Sequence, residues 1–292
     1  MKRLFLTLVV ILTTLIASNA EEKTKVYSFD DIKKLDISYL YEVHVTEGRS
    51  GKVTVVYESE YEKHIRVKYH DKESNLVLEL NDIPKKFKQG KQPKIHVYLE
   101  MDTIERLVLS GAGKAYFEGC FITDDLYIDM SGATQLTGLA VKGKSLSIDC
   151  SGASKATIEG SFKEEVDLDL SGASECNLAL NTDKFEGEVS GVSGIVWEGD
   201  AELCSLECSG ATKVLINGKG YDINIEASGA CSVDCRNFTA VNANVSLSGA
   251  CKAKVHADKE LRYNISRASK LTYYGNAELI DLNEYNNVIK GY

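Results

Sequence analysis

Apolar and polar residues alternate along most of the chain, in blocks that recur about every 20 residues. In each block, apolar residues stand five, three and one positions before a serine, as Leu146, Ile148 and Cys150 do, with polar residues between them. A second alternating run follows the serine, with Ala156 and Ile158 in its apolar places. Because strict alternation is typical of a strand with one buried face, each block predicts two short β-strands.

A Ser-Gly-Ala tripeptide separates the two strands of each block. Glycine adopts left-handed backbone conformations without steric cost, so we expect it to bend the chain there. We expect the alanine to fill a narrow inner side of the corner and the serine to hydrogen-bond outward. The serines are 18 to 21 residues apart and stand at Ser110, Ser131, Ser151, Ser171, Ser190, Ser209, Ser228 and Ser248, with Val192 replacing one alanine and a degenerate ninth copy at 266–268.

A fixed period of this length indicates a stacked repeat architecture. Twenty residues cannot hold two strands and a crossover helix, so neighbouring blocks are expected to stack directly as parallel strands. The sequence therefore predicts an all-β fold, a parallel β-helix or β-solenoid of about nine rungs of 18–21 residues each over residues 104–275.

The flanking segments lack the tripeptide. Residues 21–103 are predicted to form an N-terminal β-region that merges into the solenoid and caps it, and residues 276–292 a short C-terminal cap. Gly48-Arg49-Ser50-Gly51 predicts a hairpin turn between two of the N-terminal strands. The alternating runs that predict these strands are 35–45, 52–57, 65–69, 76–80 and 95–101.

Residues 1–20 have the parts of a secretory signal peptide: Lys2 and Arg3, an apolar run from Leu4 to Ala17, and a small-residue exit at 18–20. The apolar run is shorter than the ~20 residues of a membrane span, and no later segment is apolar enough to span. The chain is thus predicted to be exported, to the periplasm or the outer cell surface. Its net charge of −9 argues against nucleic acid and against non-specific docking on anionic membranes.

The eight cysteines are an even number in a chain predicted to be exported, which favours disulfides. Most of them, however, occupy inward positions of the repeat, where free cysteine behaves as a small buried hydrophobe. Cys231 and Cys251 differ, because both stand three positions after the serine in adjacent blocks. Stacked strands lie about 4.8 Å apart, within the Cα separation that a disulfide accepts, so this pair is a possible disulfide.

Six consecutive blocks carry an acid two positions before the serine, and we call these residues the acidic ladder. One interpretation is a solvated face, since carboxylates about 5 Å apart repel by only about 0.8 kcal/mol per pair in water. The other is a binding stripe, for calcium through oxygen ligands or for a cationic partner. The ladder consists of Asp129, Asp149, Asp169, Glu188, Glu207 and Glu226.

The sequence indicates no catalytic residues, no cofactor and no metal centre. Carboxylate pairs could act as acid and base on a polysaccharide, but a uniform ladder has no unique pair, so an enzyme is the least favoured function. Trp197 falls on an inward position and is predicted to be core. The histidines show no metal-ligand spacing and are His44, His64, His70, His96 and His256.

The chain has a signal peptide, then early strands such as Val26-Tyr27-Ser28-Phe29, then repeated Ser-Gly-Ala coils. In this order it resembles the family of putative auto-transporter adhesins with a head GIN domain, formerly a domain of unknown function. Leu107-Val108-Leu109-Ser110-Gly111-Ala112-Gly113 carries most of the resemblance. It implies a β-helical fold and a cell-envelope role, in a family of exported proteins common in Bacteroides and its relatives, and gives no catalytic residues.

The resulting interpretation is an exported, non-enzymatic β-solenoid that acts as an adhesin or surface binding module for a glycan or protein ligand. The alternative is a cell-envelope scaffold that self-associates as a homo-oligomer, and a polysaccharide-active enzyme has the least support.

Overall fold

The structure, a computed structural model, describes residues 22–82, 95–266, 268–282 and 287–291. The predicted signal peptide at 1–20 lies outside the described residues. These form two compact units, one ending at Ala140 and one beginning at Val141. The described fold is all-β, with about nine solenoid turns over residues 106–290 and a strand region before them, which confirms the predicted fold class.

The first unit contains eleven strands and the start of a twelfth, with two 3-10 turns at Ser59–Tyr61 and Asp71–Glu73. The strands are β1 (Glu22–Ser28), β2 (Lys34–Ile37), β3 (Tyr41–Glu47), β4 (Lys52–Glu58), β5 (Ile65–His70), β6 (Asn75–Leu80), β7 (Ile95–Met101), β8 (Arg106–Leu109), β9 (Lys114–Glu118), β10 (Cys120–Ile122), β11 (Asp125–Met130) and β12 (Gln135–Cys150).

The strands of the first unit form two ladders of hydrogen-bonded neighbours. One has the order β1-β4-β7-β3-β9-β12, and the other β5-β6-β2-β8-β11. The pairs β1–β4, β4–β7 and β5–β6 are antiparallel, and the other pairs of the two ladders are parallel. Inward side chains such as Val43, Val55 and Val97 are fully buried, so the alternation read from the sequence is the core pattern.

Two expectations for this unit are wrong. The run 35–45 is two strands, β2 and β3, because the chain turns at Tyr39, whose φ is +69°. Gly48–Gly51 does not close a hairpin, because β7 lies between β3 and β4 and pairs with both. The parallel β3–β7 pairing places Val43 beside Val97, although β4, β5 and β6 lie between the two strands in the chain. Sequence proximity alone does not reveal this pairing.

The second unit continues from the end of β12 with strands that pair only in parallel among the described residues. They are β13 (Lys155–Leu170), β14 (Glu175–Asn181), β15 (Lys184–Val189), β16 (Gly194–Glu198), β17 (Ala201–Cys208), β18 (Lys213–Ala227), β19 (Ser232–Leu247), β20 (Lys252–Ile265), β21 (Lys270–Tyr274), β22 (Glu278–Asp281) and β23 (Val288–Lys290).

Two ladders also run through the second unit. Segments before each tripeptide form the leading ladder, β13-β15-β17-β18-β19-β20-β22. Segments after it form the trailing ladder, β13-β14-β16-β18-β19-β20-β21-β23. Long strands such as β13 bend and contribute one segment to each ladder.

The Ser-Gly-Ala corner differs from its predicted packing. Gly172 has a φ of +72°, and a Cβ there would lie 2.6 Å from the carbonyl oxygen of Gly152, so only glycine fits. Its left-handed conformation turns the next side chain outward: Ala173 is exposed, and Val192 in the same place is 70% exposed. The expectation that alanine fills the inner side is therefore wrong, and the fourth residue, such as Ser174, is the buried one.

The core of the second unit contains the predicted inward residues. Trp197 is fully buried, stacks on Phe185 and donates a hydrogen bond from Nε1 to the carbonyl of Leu180 at 2.9 Å. Gly187 explains the irregular repeat here, since its missing Cβ would lie 3.2 Å from the Phe185 ring. The inward cysteines are buried free thiols, namely Cys150, Cys176, Cys204, Cys208 and Cys235.

Candidate functional site

Four acids of the predicted ladder lie side by side on the leading ladder of the second unit. Asp169 pairs in register with Glu188, Glu188 with Glu207, and Glu207 with Glu226. The row of acids ends at Ser246, which stands opposite Glu226. All four side chains are exposed, and neighbouring strands are about 4.8 Å apart, so the carboxylates repeat at that interval.

These acids form one side of a groove of about 460 Å³. Its other polar lining comes from Ser246 and from the corner serines, including Ser190, whose Oγ donates to the carbonyl oxygen of Leu170 at 3.3 Å. Carboxylates only accept hydrogen bonds, whereas hydroxyls both donate and accept. We call this surface the acidic groove, and it is lined by Asp169, Glu188, Glu207, Glu226, Ser171, Ser190, Ser209, Ser228, Ser246 and Ser248.

The two remaining ladder acids do not line this groove. Asp149 is half-buried at the end of β12, in the second unit. Asp129 belongs to the first unit, where it pairs in register with Val108 on β8. The geometry therefore brings four of the six predicted residues into one lined groove.

Two further acids lie beside the groove, four positions before the serines of their turns. Asp167 stands opposite Glu186. Partial burial, followed by the charges of Glu186, Asp149, Glu165 and Asp169, raises the pKa of the Asp167 carboxyl. Lys184 partly compensates, since its Nζ lies 2.9 Å from a carboxylate oxygen of Glu186. The surface is a region of negative potential that attracts cations.

A separate cluster in the first unit was not predicted from the sequence. Glu42, His44 and His96 place one possible ligand atom each within 4.8 Å of the others. Glu42 and His44 are two residues apart on β3 and so share a face, and His96 on β7 stands directly opposite Glu42. No spacing along the chain shows this group, because β4, β5 and β6 intervene between the two strands.

The two cysteines of the possible disulfide are neighbours in the second unit. Both are buried free thiols, and the amide of Lys252 donates to the carbonyl of Cys231 at 2.9 Å. The Cys231 thiol donates to the carbonyl of Ser228 at 3.0 Å, as the Ser174 hydroxyl does to that of Ser171 at 2.9 Å. Both cysteines thus occupy the buried fourth position of the corner.

Among the described residues, no helix has the length and apolar character needed to cross a membrane. Comparison with curated proteins found no match.

Several solved structures are similar to this chain. A putative adhesin from Parabacteroides merdae is 16% identical to this chain and has a TM-score of 0.47; the alignment covers 93% of this chain and 94% of the adhesin. A putative adhesin from Parabacteroides distasonis is 13% identical and has a TM-score of 0.48; the alignment covers 94% of this chain and 95% of the adhesin. A protein from the same organism, described as a putative lipid binding protein, is 13% identical and has a TM-score of 0.43; the alignment covers 92% of this chain and 94% of that protein.

The family comparison covers most of the described repeats. The sequence model of one family matches residues 29–179 and again 163–277, ranges that include the strand region, the corners and the acidic groove. The chain belongs to the putative auto-transporter adhesin, head GIN domain family.

Proposed function

We propose that the protein is an exported, non-enzymatic adhesin-type module that binds a glycan or protein ligand through the acidic groove. The observation that carries this proposal is the register of four exposed acids beside a row of serines in one groove. Membership of an adhesin family supports an adhesive role, and the predicted signal peptide supports a position in the periplasm or on the outer surface.

The groove suits an extended ligand with a repeating polar structure. Its donors and acceptors recur at about 4.8 Å, and its carboxylates favour ammonium or guanidinium groups, which form charge-assisted hydrogen bonds. A polymer carrying amines and hydroxyls, or a basic protein segment, matches this chemistry. Calcium bridging between the carboxylates and an acidic or hydroxylated ligand is the alternative mode.

Binding to arrayed glycans and extracellular proteins tests the proposal, with and without a calcium chelator. A double variant, Glu188→Gln with Glu207→Gln, removes two central charges of the groove. The matched control is Glu159→Gln with Glu198→Gln, which removes two exposed charges from the trailing ladder of the same unit. We expect the groove variant to lose at least about 10-fold in affinity, since each charge-assisted hydrogen bond contributes about 1.5–3 kcal/mol.

The control variant is expected to bind like the unaltered protein. Equal binding by both variants, or no ligand on either array, would contradict the proposal. If the unaltered protein binds its ligand without the chelator and loses binding when the chelator is added, the calcium-bridged mode is identified.

A self-associating scaffold is the second candidate, and the C-terminal strands favour it. In the described residues β22 pairs only with β20 and β23 only with β21, so each leaves one strand edge free for pairing with another chain. Light scattering of the purified protein separates the two functions. A strict monomer at high concentration excludes the scaffold.

A further inference from the structure

The outer face of β3, β7 and β9 in the first unit carries a cluster that the acidic groove does not explain. Tyr41, Val43 and Val45 of β3 are buried, so the alternate residues Glu42 and His44 point away from the core. Both are about one-third exposed, with side-chain exposures of 36% and 34%. Their position lets them meet a ligand from solvent without opening the core.

Two tyrosines hold the His44 ring in place. Tyr98 on β7 and Tyr116 on β9 are its cross-strand neighbours. Their ring centroids lie 4.9 Å and 5.1 Å from that of His44, with interplanar angles of 13° and 16°. Stacked aromatic neighbours restrict rotation of the imidazole. The Nε2 atom of His44 is thereby held 3.9 Å from Oε1 of Glu42.

His96 supplies an independent indication that something is bound here. Its Nδ1 atom is buried and has no hydrogen-bond partner among the described residues. A buried polar atom without a partner costs about 1–3 kcal/mol. A ligand that coordinates Nδ1 itself relieves that cost.

We propose that Glu42, His44 and His96 form a binding site for a zinc-type divalent transition-metal ion. Two imidazoles and one carboxylate are a donor set that zinc accepts, with a fourth position left for water or an incoming ligand. Zinc bonds of about 2.1 Å place tetrahedral ligand atoms about 3.4 Å apart. The ligand atoms lie within 4.8 Å of one another, so small rotations of the Glu42 and His96 side chains close the site around the fixed His44 ring. The proposal is independent of the acidic groove.

The neighbouring charge makes the site adjustable. Lys114 on β9 stands in register with Glu42 on the side opposite His96. Its ammonium group opposes cation binding through Coulomb repulsion, which an exposed position screens but does not abolish. Lys114→Gln is therefore expected to tighten zinc binding modestly, whereas loss of a ligand weakens it strongly.

Calorimetric titration of the purified protein, without a polyhistidine tag, with Zn²⁺ tests the site. We expect one Zn²⁺ ion per chain at this site, no Ca²⁺ binding that substitution of these residues changes, and a loss of more than about 100-fold in zinc affinity for His44→Gln or His96→Gln, because even an outer-shell partner is worth about 10–100-fold. Glu42→Gln keeps the packing and is expected to weaken binding as well. The control is His256→Gln, which removes the histidine of a surface His–Asp pair, His256 with Asp258 at 3.2 Å.

Cobalt supplies a spectroscopic test of the same ligands. Co²⁺ in place of Zn²⁺ is expected to give a tetrahedral visible spectrum in the unaltered protein and in the His256→Gln variant. That spectrum is expected to be absent in the Glu42, His44 and His96 variants. Unchanged zinc affinity in these three variants, or an equal loss in the control, would overturn the proposal.

Discussion

Tyr39 and Gly111 occupy the same corner position in neighbouring turns of the first unit. Both have left-handed backbones, with φ of +69° and +79°, and the amide of Ala112 donates to the carbonyl of Tyr39 at 2.8 Å. A Cβ on Gly111 would lie 3.0 Å from the Tyr39 backbone. Ser38-Tyr39-Leu40 is thus a corner of the repeat that has lost its glycine, and β2 and β3 form a turn with the same geometry as those that follow.

The first prediction concerns the strain at this corner. A left-handed residue other than glycine costs about 1–2 kcal/mol, and Tyr39 is 45% exposed, so its side chain contributes little packing. Tyr39→Gly is expected to raise the free energy of unfolding by about 0.5–1 kcal/mol, after the extra entropy of glycine in the unfolded chain. Urea denaturation followed by circular dichroism measures it. Valine is β-branched, so Tyr39→Val is expected to lower the free energy of unfolding. A higher free energy of unfolding in that variant would contradict the claim that the backbone at Tyr39 is strained.

A second prediction rests on the aromatic pair in the core of the second unit. Phe185 and Trp197 stack with centroids 4.2 Å apart and planes at 8°. Trp197→Ala is expected to cost about 3–5 kcal/mol, measured as the change in urea midpoint. Val196→Ala, on the exposed side of the same strand, is the control and is expected to change stability by less than about 0.5 kcal/mol. Similar losses in both variants would contradict a core role for the stack.

The repeat made most of the fold predictable, because alternation and a constant period both report the inward face. The four in-register acids follow from that period alone. The turn at Tyr39 was not predictable in this way, since its tripeptide lacks glycine and the backbone conformation is imposed by the neighbouring corner. The exposed alanines were also missed, because a left-handed residue reverses which side chain points inward.

The cluster of Glu42, His44 and His96 depends on strand order rather than on local sequence. β3 pairs with β7 although three strands separate them along the chain. Alternation places each histidine on the outer face, yet it does not say which strand lies beside which. One signal was present, namely the shared alternation phase of Glu42 and His44 on a single strand.

A third prediction concerns the ion pairs of Asp234. Arg236 donates a hydrogen bond from Nη2 to Oδ2 of Asp234 at 2.5 Å, and Lys254 donates one from Nζ to the same oxygen at 3.2 Å. These bonds, that of Arg236 foremost, lower the pKa of the Asp234 carboxyl to about 2. A lowered pKa stabilises the fold above the unfolded value of about 3.9, and this contribution is lost as pH falls towards 2. Asp234→Asn is expected to cost roughly 0.5–1 kcal/mol at pH 7, after solvent screening. Urea titrations at several pH values should show the difference shrinking below about pH 4.

A fourth prediction has the opposite sign. Burial and neighbouring acids raise the pKa of Asp167, so its ionised form disfavours the fold at neutral pH. Asp167→Asn is expected to raise the thermal midpoint by about 1–2 °C at pH 7. The gain should decline as pH falls through the raised pKa and vanish below the unfolded value of about 3.9. Glu198→Gln, an exposed acid on the trailing ladder, is the control; an equal gain there would assign the effect to net charge.

The last prediction is a disulfide between Cys231 and Cys251. Burial, foremost, raises the pKa of the Cys251 thiol, and the two thiols lie close enough to influence each other. Because the thiolate is the reactive form, oxidation of the folded protein is expected to be slow, and oxidation during refolding with oxidised glutathione fast. Two thiols pass two electrons and two protons to glutathione disulfide, which becomes two reduced glutathiones. Mass spectrometry should show the loss of two hydrogens and a linked peptide pair.

The cross-link closes a loop of about 20 residues, so it is expected to add roughly 3 kcal/mol to the free energy of unfolding. Cys231→Ser is the matched control, because its hydroxyl can keep the corner hydrogen bond to Ser228 that Ser174 makes in its own turn. That variant should fold, stay unlinked and show no gain on oxidation. Exposed Cys120 should react with a thiol reagent in the folded state in both proteins. A linked peptide joining any other pair, or equal stability before and after oxidation, would disprove the assignment, since Cys231 and Cys251 stand at the same buried corner position in adjacent turns.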